Sequence, residues 1–119
     1  MNNHVPKTIP IPEWSPHPDP NVGGVVGKVL LRTDNVVLSI LRFENQASIH
    51  EHAGATEADV ICLEGDGFVS VDGETSEFTA GQSIRWPAGL LHKLWTEDQT
   101  MQTLMVEHHE SVSDDQPAR

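Results

Sequence analysis

Gly81-Gln-Ser-Ile-Arg-Trp-Pro-Ala-Gly-Leu-Leu-His92, taken together with His50-Glu51-His52 and Glu57, decides how this chain is read. In an extended strand successive side chains point to opposite faces, so His50 and His52 share a face and their rings can converge from neighbouring pleats. His92 lies 40 residues beyond His52 and must come from another strand. Three imidazoles and a carboxylate in strand-like segments suggest one metal ion inside a small barrel, with His50, His52, Glu57 and His92 as ligands. Imidazole suits Fe, Ni, Zn, Co or Cu, and an added carboxylate extends the choice to Mn.

Working outward, the chain is a series of short apolar runs separated by turn signals. Lys28–Arg32 and Val36–Phe43 flank Thr33-Asp34-Asn35, and Ala47–His52 follows Glu44-Asn45-Gln46. Val60–Leu63 ends at Glu64-Gly-Asp-Gly67, and Phe68–Val71 ends at Asp72-Gly73. Ser76–Thr79, Ser83–Trp86, His92–Trp95 and Met101–Val106 complete the series. Strands spaced about 8–12 residues apart read as a β-sandwich or barrel. No stretch keeps a helical period, so helix content should be small.

Six of the eight prolines fall in the first 20 residues, which forbids a helix there and favours extended backbone. Residues 1–24 are read as a Pro-rich arm, 25–106 as the barrel, and 107–119 as a disordered acidic tail. Ile9, Ile11 and Trp14 make the arm one that packs on something, either its own barrel or a second subunit. His108 and His109 border the polar tail and read as solvated side chains.

A length of 119 residues suits one domain with a single core. The lone cysteine, Cys62, sits in the apolar run Val60–Leu63 and reads as a buried structural thiol. No apolar run approaches the ~18 residues of a membrane span, and a cytoplasmic location is the default expectation. With 7 basic against 18 acidic residues the net charge is −11, which argues against nucleic acid or an anionic membrane as partner.

The residues from Gly81 through Pro87 and Gly89 to His92 resemble the second motif of the cupin superfamily, with Thr96 where that motif ends in Asn. His50, His52 and Glu57 resemble its first motif, although the opening glycine is absent. Counting forward from His52 puts Glu57 in the carboxylate slot, while counting back from Gly65 puts Ala58 there. A β-bulge near Ala58-Asp59 would reconcile the two counts; without it Glu57 faces outward. The resemblance covers residues 25–106. It implies an all-β, double-stranded β-helix (jelly-roll) barrel, one divalent metal ion and a homodimer.

Parity suggests Arg42, Trp86, Leu94 and Leu104 as residues lining a substrate pocket, Arg42 being its one cation. Leu38 and Ile40 would share the inner face with Arg42, as Gln102 and Val106 would with Leu104. Trp95 has the opposite parity to His92 and should lie outside. Two functions are then expected in competition. One, which the cupin resemblance implies, is a mononuclear metal-dependent enzyme, with dioxygenase-like oxidation of a small apolar molecule ahead of isomerase or decarboxylase chemistry. The other is a non-catalytic barrel that binds a small molecule or a metal.

Overall fold

The computed structural model describes residues 4–19 and 22–109, with Glu51 and His52 described by their backbone. Those residues form strands β1 (Ser15–Pro16), β2 (Gly23–Arg32), β3 (Val36–Ala53), β4 (Glu57–Val71), β5 (Glu74–Thr79), β6 (Ser83–Trp86), β7 (Leu91–Trp95) and β8 (Met101–His108). The architecture is the expected all-β barrel. β8 lies between the first halves of β3 and β4, and β7 lies between their second halves. The two long strands therefore each pair with both β7 and β8, which closes the barrel.

The sequence reading ended strands at Glu44–Gln46 and at Glu64–Gly67. Both stretches are instead corners within continuous strands. Gln46 and Gly65 take left-handed backbone, with φ of 59° and 76°. An irregular residue of this kind bends a strand and re-aims it without ending the ladder. True hairpin turns do occur at Asp72-Gly73, where both residues have positive φ. That pair joins β4 to β5, as Asp-Gly does in a two-residue hairpin.

The corner in β3 is pinned from β7. Thr96 is buried; its Oγ1 donates to the Glu44 carbonyl at 2.6 Å and accepts the Ala47 N–H at 3.1 Å. Thr96→Val keeps the shape and removes both bonds, leaving a buried donor and acceptor. It is expected to cost about 1–3 kcal/mol in urea unfolding. Thr96→Ser should stay close to the wild type, and equal losses in the two variants would deny the hydroxyl this role.

Apolar side chains from β3, β4 and β7 fill the interior, with Phe43, Val60, Val69, Leu94 and Cys62 almost wholly enclosed. Burial pushes the Cys62 thiol up from its ordinary pKa, as suits a packing residue. The inner faces of β3 and β8 differ from the parity reading. Leu41 and Phe43 point inward, paired with Thr103 and Met101. Leu38, Ile40 and Arg42, with Gln102, Leu104 and Val106, form the outer face. Aliphatic residues occupy both faces of these two strands, so alternation carries no direction there.

The arm reaches its own barrel through a short stretch. Ser15 and Pro16 pair with Gly27 and Val26 of β2, and the His17 N–H donates to the Val25 carbonyl at 3.1 Å. Trp14 is held by two cations, Lys28 Nζ at 4.6 Å and Arg42 Cζ at 4.1 Å from the ring centroid. Val5, Ile9 and Ile11 are exposed. At the other end β8 runs to His108, past the barrel boundary set at 106; the tail from 110 onward, for which disorder was expected, lies outside the described residues. Among the described residues no helix is long and apolar enough to cross a membrane.

Candidate functional site

A cavity of about 390 Å³ opens at the end of the barrel beside the arm. Leu41, Ile49, Ala58 and Met105 give it apolar walls, and Ser15–Pro18 of the arm form part of its mouth. Its polar heart is His92. The imidazole is 4% exposed and stacks on Trp86, with ring centroids 3.8 Å apart and planes 13° apart. Gly54 approaches this ring so closely that a Cβ there would lie 3.2 Å from His92 Cε1. β7 aims the imidazole, because Leu94, two residues on, is buried on the same face.

Of the four residues read as metal ligands, His92 lines the cavity, while His50 and Glu57 are exposed. Past the corner of β3 the buried residues are Ala47 and Ile49, so His50 is exposed with Ser48 on the outward row. The β3–β7 register then shifts between Ile49 and His52, and the backbone of His52 pairs with that of His92. The ligand assignment of His52 concerns a side chain outside the described residues. The apolar cue for this placement was legible: Ala47 and Ile49 alternate with Ser48 and His50.

Glu57 lies on the outer face. β4 pairs with β6 and β8 without a shift around Ala58 and Asp59, and the irregularity falls between Cys62 and Glu64 instead. The additional residue before Gly65 is thus absorbed at Leu63. Ala58 faces the cavity at 5% exposure, and the Glu57 side chain is 53% exposed. Its Oε1 accepts from Arg85 Nη1 at 2.9 Å.

Arg85 also grips Asp59 through Nε at 2.8 Å and Nη2 at 3.1 Å, and His108 Nε2 meets the same carboxylate at 2.8 Å. The Arg85 hydrogen bonds, followed by that of His108, hold the Asp59 carboxyl below its ordinary pKa. A depressed folded value means that this cluster stabilises the barrel above the unfolded carboxyl's pKa. The contribution fades as pH falls through the lower folded one. It is an exposed strand clamp across β6, β4 and β8, not a cavity group.

Among the described residues no three His, Cys, Asp or Glu side chains are placed to hold an ion together. Of the residues read as lining a pocket, Trp86 and Leu94 are buried inside. Arg42 lies outside under Trp14, its Nε 3.4 Å from Gln102 Oε1. Leu104 sits on the outer face between Ile40 and Ile61. Trp95 is outside as parity suggests, stacked on Phe68 at 5.6 Å.

The sequence profile described as the cupin domain matches residues 39–107, more than half of the chain. The chain belongs to the cupin family. Solved structures agree with that placement. The polyketide cyclase RemF from Streptomyces resistomycificus superposes with a TM-score of 0.79 at 22% identity, over 89% of this cupin and 81% of that chain. KdgF from Halomonas sp. gives 0.71 at 14% identity, over 86% and 92%. An RmlC-like cupin from Shewanella frigidimarina gives 0.69 at 19% identity, over 85% and 97%. At such identities the likeness concerns the fold. No curated protein matches the sequence of this cupin.

Proposed function

We propose that this cupin binds a small, largely apolar molecule in the cavity above the Trp86–His92 pair. The observation that carries the reading is the cavity itself. It is about 390 Å³, walled by Leu41, Ile49, Ala58 and Met105, with one buried imidazole stacked on an indole. Ligand sites have this make-up: mostly apolar lining, within the usual range of about 300–1,000 Å³, with a few polar groups that fix orientation. An enclosed imidazole can donate, accept or transfer a proton near neutral pH, so bound molecules could also be turned over. A neighbour in fold is named as a polyketide cyclase, which supports a barrel able to take an organic ligand.

A second reading, a metal-dependent enzyme with dioxygenase-like or isomerase activity, has one observation in its favour. The backbone register sets His52 directly opposite His92. In this reading His50, His52, Glu57 and His92 would have to converge, and Glu57 would have to leave Arg85.

Binding of the neutral fluorophore N-phenyl-1-naphthylamine and metal analysis of the same purified protein separate the two. The first reading expects one probe per chain, lost in Ala58→Phe while its unfolding midpoint is retained, and little bound metal. About one ion per chain, stripped by His92→Ala, would favour the second. A probe that binds Ala58→Phe as well as wild type would put the ligand elsewhere.

A further inference from the structure

We propose that Glu107 is the acidic group of this cavity, holding the hydrogen-bond-donating head of a small apolar ligand, most strongly an ammonium. The inference rests on the reading of the barrel as a ligand site. It assigns a carboxylate to that site from a strand where the family motifs place none.

The position follows from β8. Met101, Thr103 and Met105 are buried on its inner face, and Glu107 continues that alternation onto the cavity wall. Glu107 pairs with Val37 of β3 on one side and Ala58 of β4 on the other, both buried. Ala58 pairs in turn with Trp86, and Trp86 stacks on His92. One row on the inner surface therefore runs from the carboxylate across a methyl group to the indole and the imidazole. Directly opposed residues in an antiparallel pair have Cβ atoms about 4.5–5.5 Å apart, so Ala58 is the immediate neighbour of Glu107. Its methyl is too short to screen the carboxylate from the cavity.

The neighbouring acids are otherwise engaged. Glu57 and Asp59 flank Ala58 on the opposite face, each bonded to Arg85. Glu107 has a looser partner, His109 Nε2 at 3.7 Å from Oε1, beyond hydrogen-bond length. Lys28 and His17 border the same mouth, and the Lys28 ammonium lies over Trp14. A chain of net charge −11 also draws cations rather than anions towards its openings.

Calorimetric titration with 2-phenylethylamine, 2-phenylethanol and 3-phenylpropanoate tests this on the full chain. The wild type is expected to bind the amine tightest and the carboxylate weakest. Glu107→Gln, which preserves shape, should weaken amine binding by about tenfold, the size of a charge-assisted hydrogen bond, and leave N-phenyl-1-naphthylamine binding unchanged. Glu107→Asp should fall between, and Glu57→Gln should behave as wild type. If Glu107→Gln binds the amine as wild type does, or wild type does not prefer the amine, the role of Glu107 is overturned and the cavity reading stands. If the wild type binds neither the fluorophore nor any of the three probes, both fall.

Discussion

Gly65→Ala is expected to cost this barrel about 3–5 kcal/mol, because it combines a left-handed backbone penalty with a backbone collision. Gly65 has φ +76°, a conformation that L side chains rarely adopt, and a Cβ there would run into the Thr100 carbonyl oxygen. That oxygen is fixed, since it accepts the Asp66 N–H at 3.2 Å. The corner of β4 therefore cannot open without losing a bond between β4 and the loop before β8. A loss of this size lowers the melting temperature of a domain near this length by roughly 4 °C per kcal/mol, so well over 10 °C in all. Gly73→Ala is the control. Its φ is +84°, and a Cβ there meets nothing within 4 Å, so only the conformational term of about 1–2 kcal/mol applies. Similar losses in the two variants would show that the close approach to Thr100 does not constrain the corner.

Trp86→Ala is the second large effect, expected to cost about 3–5 kcal/mol and to abolish binding of apolar probes. The indole is 3% exposed, packs beside Ala58 in the inner row and supplies the surface on which His92 lies. Removing it leaves a hole next to an existing cavity, and the imidazole loses the plane that orients it. Trp95→Ala makes a matched comparison: that ring is half-buried on the outer face, stacked on Phe68 with Lys93 Nζ 4.7 Å from its centroid. Its loss should be smaller, and probe binding should survive. Urea midpoints and fluorophore titrations on both variants measure this directly; equal behaviour would mean that Trp86 does not build the site.

Much of the architecture was legible because it depends on local signals. Turn residues such as Asp72-Gly73 fall where their backbone preferences require, and Pro87 with Gly89 leads into the strand that presents His92. The corners at Gln46 and Gly65 were misread as strand ends because a bulge and a turn use the same residue types. The direction of a strand's faces was legible only where one face is polar. Ser48 and His50 against Ala47 and Ile49 show it, whereas β3 and β8 carry aliphatics on both sides. The placement of Glu57 could not be read at all. It depends on whether one surplus residue before Gly65 is absorbed at Ala58 or at Leu63, and cross-strand pairing decides that. Glu107 was overlooked for the same reason, its face being fixed by pairing with Val37 and Ala58.

The arm has a consequence for how copies of this protein meet one another. An open sheet border is a template on which identical chains can stack into fibrils. On the β2 side that border is met by Ser15 and Pro16, and Pro10, Pro12, Pro16 and Pro18 have no amide hydrogen to pass on. On the β5 side the outermost strand is six residues long and carries Glu74 and Glu77 in water. At these two margins missing donors in the arm and charge on β5 work against amyloid-like addition.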